Sequence, residues 1–527
     1  MNLARYCSYW AAMRGDEPAA VFRGENLTWA ELDRRANALA ASLARIGLGR
    51  GDRVGCLLNN CLEWVVTWCA ALKAGAILVP LNPRYGDGEL REIVASVGCT
   101  ALVSVARDVE RLAPSVAARA NGSADIHLFA LQADVAPIAF REAIEGDAPP
   151  PSIDVQPDDI AVVTFTSGST GLPKGAMLSH RAIRAMGMST IAANRFTSEE
   201  RVLLLAPFAF TGGIISVYSP TYLAGGCIYI EESADPERAL GTITSQRITA
   251  ITGVPILWER MADSPQFATA DLASLSSAAT GGAPVSPALL QRYIEKGVRI
   301  RQVYGCTEAS GLIATPNEQH ALEKPWACGV PLPTVEVRVV DVSGAPCQSG
   351  EVGELILRGE QMFSGYWGNE AATAEAWQNG WYRTGDLGRI DEAGHIQITD
   401  RKKNMVISGG VNIYPAEVER AMSALPGVIE IVAFGMPDAN WGERVVAVVH
   451  GAQGLDARAL MQAARAALGA YKTPKEIVLV EESLPRTSTG KLQRTKFAQL
   501  YESLRDAARV FANDVPAPDK ALAAPQP

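Results

Sequence analysis

The chain has 527 residues, of which 48% are hydrophobic and 20% are charged, and its formal net charge at pH 7 is −9. This length exceeds that of one typical domain, and the composition is typical of soluble globular proteins. The acidic balance argues against a nucleic acid as a partner, because binding to phosphates needs clustered basic side chains.

The cysteines, histidines and apolar stretches exclude several further classes of protein. None of the nine cysteines belongs to a Cys-x-x-Cys pair, which favours reduced thiols and a cytoplasmic location. The five histidines are scattered, so no structural zinc site is expected. The N-terminus lacks the apolar run of a signal peptide. The most apolar stretch, residues 212–230, is interrupted by Pro220 and is interpreted as core rather than as a transmembrane segment.

Helix and strand patterns alternate over about the first 330 residues. Thr28 and Glu31 form a capping-box pattern in front of apolar residues at helical spacing, and a second helix is predicted over 61–72. Strands are predicted at 53–58, 76–80, 161–165, 201–205, 227–230 and 250–252. Because such alternation produces crossover connections, we expect an α/β fold whose large N-terminal domain has mostly parallel sheets with helices.

The pattern changes near residue 331. Three strand-like segments predict a β-rich subdomain: 335–340, 353–357 and 395–398. Later segments predict a small α+β domain, with helices over 415–424 and 457–468 and strands over 428–435 and 444–449. We therefore expect an N-terminal domain over 1–400, with its β-rich subdomain at about 331–400, a C-terminal domain over 401–512 and a disordered tail over 513–527.

A stretch rich in Gly, Ser and Thr with one lysine covers residues 164–175, TFTSGSTGLPKG. The sixth position counted from Gly168 is Pro173, so the stretch does not fit the Walker template G-x-x-x-x-G-K-[ST]. Its backbone N–H groups, hydroxyls and lysine could still surround an anion. Taken alone, a phosphate-binding loop and a flexible turn are equally supported.

Further motifs follow in a fixed order. They are TGGAP at 280–284, YGCTE at 304–308, YRTGD at 382–386, DRKK at 400–403 and PRTSTGK at 485–491. Together with the first stretch, and over roughly residues 20–500, they resemble the signature motifs of the adenylate-forming superfamily. This superfamily includes the acyl-CoA synthetases, the luciferases and the adenylation domains of peptide synthetases.

The resemblance implies an enzyme with a two-step reaction. A carboxylate attacks the α-phosphate of ATP to give acyl-adenylate and pyrophosphate, and a thiol, here that of coenzyme A, then takes the acyl group. ATP, Mg²⁺, CoA and a small carboxylic acid are therefore the expected cofactors and partners. A homodimer and peripheral contact with a membrane stay open.

The resemblance also assigns residues to ATP. The β- and γ-phosphates would be held by Thr166, Ser167, Gly168, Ser169, Thr170, Gly171 and Lys174. The adenine side would be formed by Gly282, Ala283, Pro284, Tyr304 and Gly305, with the Tyr304 ring stacked on the base. Asp386 and Arg401 would contact the ribose. Outside this motif context, a core tyrosine and a turn-forming aspartate would be the more common interpretations.

Three residues would act on the reacting groups. Lys491 would neutralise the carboxylate and the α-phosphate, Thr307 would donate to the α-phosphate, and Glu308 would bind Mg²⁺, which favours oxygen ligands. Between the two steps the C-terminal domain, mobile in this superfamily, would rotate about a hinge at Lys403. That rotation would remove Lys491 and bring Gly409 and Gly410 to the CoA channel.

The acyl pocket would be lined by Phe210, Thr211, Gly212 and Gly281. Phe210 stands where relatives often have histidine, so no hydrogen bond is expected from that side chain. Residues 208–216 and 280–284 carry no charge, which favours an apolar acid. We expect a medium- or long-chain fatty acid. An aryl or alicyclic acid, or delivery of the acyl group to a carrier-protein thiol, are the alternatives.

Two other classes of function receive less support. A hydrolase is not expected, because the chain has no Gly-x-Ser-x-Gly motif. A nucleotide-binding regulator without catalysis is not favoured either, since Lys491, Glu308 and Asp386 are all present.

Overall fold

The computed structural model describes residues 2–105, 107, 108, 112, 127–131, 138–149, 151–166, 173–283, 285–486, 492, 494–507 and 509–512. The predictions for Ser167, Gly168, Ser169, Thr170, Gly171, Pro284, Lys491 and the tail 513–527 lie outside these residues.

Within the described residues, the strands form four sheets of nine, seven, five and six strands. The strands are β1 (Pro18–Phe22), β2 (Glu25–Thr28), β3 (Arg53–Leu57), β4 (Ile77–Pro80), β5 (Ala101–Val105), β6 (His127–Leu131), β7 (Ile138–Ala139), β8 (Ile160–Thr166), β9 (Lys174–Ser179), β10 (Arg201–Leu204), β11 (Cys227–Ile230), β12 (Ala250–Gly253), β13 (Ser277–Gly281), β14 (Ile300–Cys306), β15 (Gly311–Thr315), β16 (Val330–Pro331), β17 (Val335–Val340), β18 (Gly353–Gly359), β19 (Trp377–Gln378), β20 (Trp381–Ile390), β21 (Ile396–Arg401), β22 (Val406–Ser408), β23 (Val411–Ile413), β24 (Val428–Asp438), β25 (Gly442–Gly451), β26 (Glu476–Val480) and β27 (Arg509–Ala512).

The same residues form α-helices of 5 to 17 residues. These helices are α1 (Ala4–Arg14), α2 (Trp29–Arg45), α3 (Leu62–Lys73), α4 (Asp87–Val97), α5 (Phe140–Ile144), α6 (His180–Asn194), α7 (Ser219–Ala224), α8 (Pro236–Gln246), α9 (Pro255–Asp263), α10 (Pro287–Ile294), α11 (Glu318–Glu323), α12 (Glu370–Ala376), α13 (Pro415–Ser423), α14 (Ala457–Lys472) and α15 (Arg494–Ala507). A π-helix covers Gly212–Tyr218. None of the described helices is long and apolar enough to cross a membrane.

The two largest sheets are mostly parallel. The nine-stranded sheet has the order β16-β15-β14-β13-β12-β10-β11-β1-β2, and its pairs from β14 through β1 are parallel. The seven-stranded sheet has the order β7-β6-β5-β3-β4-β8-β9, and its pairs from β7 through β8 are parallel. The α/β class predicted from the alternating pattern is therefore confirmed.

The predicted capping box at the start of α2 forms only in part. The Thr28 side chain accepts a hydrogen bond of 3.2 Å from the Glu31 backbone N–H, as expected for an N-cap. The Glu31 carboxylate does not accept a hydrogen bond from the Thr28 backbone N–H; it accepts from Arg34 and Arg35 at 2.8 and 2.6 Å. Hydrogen bonds from Arg34 and then Arg35 outweigh burial and lower the pKa of Glu31 to about 2.

The β-rich subdomain and the small C-terminal domain also have the predicted character. Strands β17 to β21 form the five-stranded sheet, in which every recorded pair is antiparallel. Strands β22 to β27 form the six-stranded sheet, which packs with α13, α14 and α15. Helix α14 is interrupted by Gly469 at φ 75 and ψ 168, close to the predicted helix end at 468.

Aromatic packing fixes the segment that carries the predicted pocket residues. Trp64 of α3 stacks on Phe208, with 5.6 Å between the ring centroids, and Phe208 meets Tyr218 edge to face at 5.5 Å. All three residues are at most 2% exposed. Because close-packed rings resist displacement, both ends of the segment 208–218 have fixed positions. The interpretation of residues 212–230 as core agrees with this burial.

Candidate active site

The predicted site residues follow strands of two different sheets. Strand β8 of the seven-stranded sheet ends at Thr166, and strand β13 of the nine-stranded sheet ends at Gly281. Strand β14, also of the nine-stranded sheet, ends at Cys306 and leads into a 3-10 turn over Thr307–Ala309. Ligands of α/β proteins bind at the carboxyl ends of parallel strands, which is where these segments meet.

Three threonine hydroxyls form a row between the two sheets. Thr164 Oγ1 lies 3.2 Å from Thr211 Oγ1, which lies 3.0 Å from Thr307 Oγ1. Thr164 is fully buried, Thr211 is 8% exposed and Thr307 is partly exposed. We call these residues the threonine row. The predicted pocket residue Thr211 thus contacts the predicted phosphate donor Thr307 directly.

Tyr304, Asp386 and Arg401 come together from strands β14, β20 and β21. The Tyr304 hydroxyl donates a hydrogen bond of 2.6 Å to Asp386 Oδ2, and Arg401 Nε lies 2.5 Å from Asp386 Oδ1. Burial and the charge of Asp386 raise the pKa of Tyr304 well above its ordinary value. The phenol therefore stays protonated and remains a donor to the carboxylate.

Tyr366 joins two predicted residues that are far apart in the sequence. Its hydroxyl donates a hydrogen bond of 2.8 Å to Glu308 Oε1, and Lys174 Nζ lies 5.2 Å from the centroid of its ring. The Glu308 backbone is also held, because its carbonyl oxygen accepts from the Phe363 N–H at 2.8 Å. The sequence analysis missed Tyr366, since no spacing in the sequence relates it to Glu308 or Lys174.

The described residues at the two ends of the phosphate motif belong to paired strands. Thr166 is the last residue of β8, Lys174 is the first residue of β9, and the two lie opposite each other in the antiparallel pair. Thr166 and Lys174, predicted to belong to a phosphate-binding loop, are therefore strand residues. The pairing could not be predicted from composition, because Gly and Ser are typical of loops. The strand register fixes the position of the Lys174 backbone.

Three of the predicted acyl-pocket residues, Phe210, Thr211 and Gly212, lie where the π-helix begins, whereas the fourth, Gly281, is the last residue of β13. Phe210 is partly buried, and its carbonyl oxygen accepts from the Ile214 N–H at 3.1 Å. A Cβ on Gly212 would meet no atom within 4 Å, whereas one on Gly213 would lie 2.3 Å from the Pro207 carbonyl oxygen. Packing therefore requires glycine at 213 but leaves free space beside 212. Isolated π-helical turns are frequent at functional sites.

The described adenine-side residues lie at two neighbouring strand ends. Gly281 ends β13, and Gly282 and Ala283 follow it at the surface. Gly305 lies within β14, where a Cβ would come within 2.2 Å of the Gly311 carbonyl oxygen, so only glycine fits.

Asp400 forms hydrogen bonds across the predicted hinge at Lys403. Its Oδ1 accepts from the Arg401 backbone N–H at 2.6 Å and from Asn404 Nδ2 at 2.9 Å. Its Oδ2 accepts from the Ala416 N–H at 2.7 Å, in the first turn of α13. Asp400 belongs to β21, so one carboxylate connects the five-stranded sheet with residues on the other side of Lys403. The sequence analysis did not identify this contact.

Gly409 and Gly410 form the turn between β22 and β23. Their φ values are 58 and 79, and Gly409 donates its N–H to the Trp441 carbonyl oxygen at 2.8 Å. Within the described residues, no recorded hydrogen bond joins this turn to Tyr304, Asp386 or Arg401. The predicted CoA-channel glycines are therefore not hydrogen-bonded to these predicted nucleotide residues in this structure.

Two family models match the chain. The model described as AMP-binding enzyme covers residues 7–367, and the model described as AMP-binding enzyme C-terminal domain covers residues 417–491. The chain belongs to the AMP-binding enzyme family. The predicted resemblance is thereby confirmed, and the first match contains the threonine row, Lys174 and Glu308.

Individual relatives match this AMP-binding enzyme over most of its length. It is 37% identical over 471 residues to a feruloyl-CoA synthase from Amycolatopsis sp. The matched region covers 89% of this chain and 93% of the relative. It is 30% identical over 478 residues to a long-chain-fatty-acid–CoA ligase from Mycobacterium tuberculosis, with 90% and 93% covered. Among solved structures, ATP-bound MatB from Rhodopseudomonas palustris is 29% identical, with a TM-score of 0.87 and coverage of 96% and 100%.

Removal of the Tyr304 hydroxyl tests the predicted nucleotide role of this group. Tyr304→Phe is expected to weaken ATP binding about fivefold, because Asp386 would face the ribose with one hydrogen bond fewer, worth about 1 kcal/mol. Isothermal titration calorimetry with ATP measures the dissociation constant.

The matched control is Tyr293→Phe. Tyr293 is also buried, and its hydroxyl donates to the Trp258 carbonyl oxygen at 2.8 Å, within the core formed by α9 and α10. This variant should bind ATP like the wild type. If Tyr304→Phe also binds ATP like the wild type, Asp386 does not depend on Tyr304 for contact with the nucleotide.

Proposed function

We propose that this AMP-forming acid–CoA ligase acts on an aromatic carboxylic acid. The observation that carries the proposal is the higher identity to the feruloyl-CoA synthase, 37% over 471 residues, than to the fatty-acid ligase, 30% over 478 residues. The uncharged pocket segments favour an apolar acid of either kind, and the expected fatty acid stays the alternative.

The pocket residues support an uncharged, flat acyl group. Phe210 offers a partly exposed ring, and aromatic rings pack favourably against other rings in offset or edge-to-face contacts. In the arrangement in which Thr211 donates its hydrogen within the threonine row, that hydrogen is not available to the acid. Free space beside Gly212 leaves room for a ring.

In the proposed first half-reaction, a carboxylate oxygen attacks the α-phosphorus of ATP and the bond from that phosphorus to pyrophosphate breaks. Lys174 would supply positive charge to the leaving pyrophosphate, and Thr307 would donate a hydrogen bond to the α-phosphate. In the second, the CoA sulfur attacks the acyl carbonyl carbon and AMP leaves. Such fixed charges and donors lower the barrier because they need no reorganisation during the reaction.

The residues present fit Mg²⁺ at Glu308. This carboxylate is partly exposed, and Mg²⁺ usually binds through one or two carboxylates together with phosphate oxygens and water. Glu308 would hold the ion, which supplies charge neutralisation to the phosphates. The hydrogen bond from Tyr366 fixes the direction of the carboxylate.

A panel of acids tests the proposed substrate class. With ATP, Mg²⁺ and CoA, kcat/KM for AMP release is expected to be at least about tenfold higher with ferulate or cinnamate than with octanoate or palmitate. A tenfold ratio corresponds to a difference of about 1.4 kcal/mol in how well the pocket binds the two transition states. A higher value for either fatty acid would favour the alternative. Release of pyrophosphate with retention of the acyl-adenylate, and no AMP release on addition of CoA, would favour the alternative acceptor, a carrier-protein thiol.

Separate assays of the two half-reactions test the proposed role of Lys491 in adenylate formation. Lys491→Ala is expected to lower adenylate formation by about a hundredfold or more, since a positive charge at the attacked phosphate is lost. Conversion of supplied acyl-adenylate to acyl-CoA should stay near the wild-type rate. Lys496→Ala, which removes an exposed lysine of α15, is the matched control. Equal losses in both half-reactions would contradict the assignment.

We also propose that the large domain extends past the end of strand β21 at Arg401, rather than ending at Asp400, and that Lys403 is the pivot. Lys402 Nζ lies 3.1 Å from Glu354 Oε2 of the five-stranded sheet, so the residues before Lys403 are attached to the large domain. Val406, three residues after Lys403, already belongs to the six-stranded sheet. The chain therefore passes between two separately packed bodies within a few residues.

Proline at the pivot tests this proposal. Lys403→Pro is expected to retain one half-reaction and to lower the other by about tenfold or more, because proline fixes φ and restricts the preceding residue. Separate assays of adenylate formation and thioester formation measure the two rates. Lys403→Ala, which leaves φ free, should retain both. Unchanged acyl-CoA synthesis by the folded proline variant would remove Lys403 from this role.

A further inference from the structure

We propose that Thr164 and Thr211 are positioning residues that orient the Thr307 hydroxyl as a hydrogen-bond donor to an anion. The inference follows from counting the hydrogens in the threonine row. It rests on the proposed function for the identity of that anion, an α-phosphate oxygen of the nucleotide.

A hydroxyl group has one hydrogen to donate and two lone pairs that accept. The threonine row has three hydroxyls but only two contacts, of 3.2 and 3.0 Å. Two hydrogens therefore lie within the row, and one remains for a partner outside it. The position of that third hydrogen determines what the row can bind.

Burial decides between the three arrangements. If the third hydrogen were on Thr164, it would lie at a fully buried position, where Thr211 is the one side-chain partner that the described residues provide. If it were on Thr211, the donor would lie at an 8% exposed position, with both contacts already made by other threonines. An unsatisfied buried donor is strongly unfavourable.

The remaining arrangement places the third hydrogen on Thr307. Thr164 then donates to Thr211, and Thr211 donates to Thr307. Thr307 is the partly exposed member of the row and directly precedes Glu308, the predicted Mg²⁺ ligand. Because hydrogen bonds in a chain polarise one another, the outer hydroxyl becomes a better donor than an isolated one.

This arrangement also explains why the row connects two sheets. Thr164 lies in β8 of the seven-stranded sheet, two residues before Thr166 of the phosphate motif, whereas Thr307 follows β14 of the nine-stranded sheet. The donor on Thr307 thus has a fixed direction relative to the hairpin that carries Lys174.

Valine and serine variants test the row by activity. Thr211→Val is expected to lower kcat for adenylate formation about tenfold, with KM for ATP within about twofold, because Thr307 stays in place but loses its orientation. Thr211→Ser keeps the hydroxyl and should recover most of kcat. Thr221→Val, a buried threonine whose hydroxyl donates to the Val217 carbonyl oxygen, is the control for the substitution itself. Equal kcat for Thr211→Val and the wild type would overturn the proposal.

Thermal unfolding tests the direction of the row without any turnover. Thr211→Val leaves the Thr164 donor buried without an acceptor, so its midpoint should fall below that of the double variant Thr164→Val/Thr211→Val. Thr164→Val alone should lower the midpoint or leave it unchanged. A higher midpoint for Thr164→Val would show that the unused hydrogen is on Thr164, and would overturn the proposal.

The activity and unfolding experiments distinguish failure of this proposal from failure of the proposed function. If the wild type releases AMP with none of the acids tested, the proposed substrate class is wrong, and the unfolding midpoints still decide the direction of the row. If the wild type is active and either readout gives its overturning result, the proposal for Thr164 and Thr211 is wrong and the ligase activity stands.

Discussion

The arrangement of the site depends on one buried negative charge, the Asp386 carboxylate. It is 3% exposed, and a charge at such a position is stable only with close partners. Tyr304 contacts it from the nine-stranded sheet, and Arg401 contacts it from β21 of the five-stranded sheet. Because Asp386 itself lies in β20 of the five-stranded sheet, the Tyr304 contact joins this sheet to the nine-stranded sheet, close to strand ends that carry other site residues.

A second buried carboxylate, that of Asp400, belongs to the residue directly before Arg401 in the sequence. Arg401 is shared between the two, since its side chain pairs with Asp386 and its backbone N–H donates to Asp400. Asp400 in turn accepts from Ala416 at the start of α13. Arg401 therefore takes part in the predicted ribose site through its side chain and contacts Asp400, which also binds the small domain, through its backbone.

Much of the architecture could be predicted from the sequence, because strand and helix patterns are local. The parallel sheets, the antiparallel subdomain and the small α+β domain follow from hydrophobic periodicity and turn residues. The contacts of Tyr366 and Thr164 could not be predicted, since they join residues that are distant in the chain. The capping box formed only in part because Arg34 and Arg35 offer Glu31 stronger partners than a backbone N–H.

The position of Lys174 over the Tyr366 ring affects how an anion could enter and leave the site. Within the described residues, Lys174 has this aromatic contact and no salt bridge, and such a contact near the surface is worth about 0.5–1 kcal/mol. An incoming phosphate would therefore displace a weak, neutral partner rather than a competing carboxylate. After the phosphate leaves, the Lys174 ammonium group could contact the Tyr366 ring again, so the side chain would have a defined position in the absence of the anion.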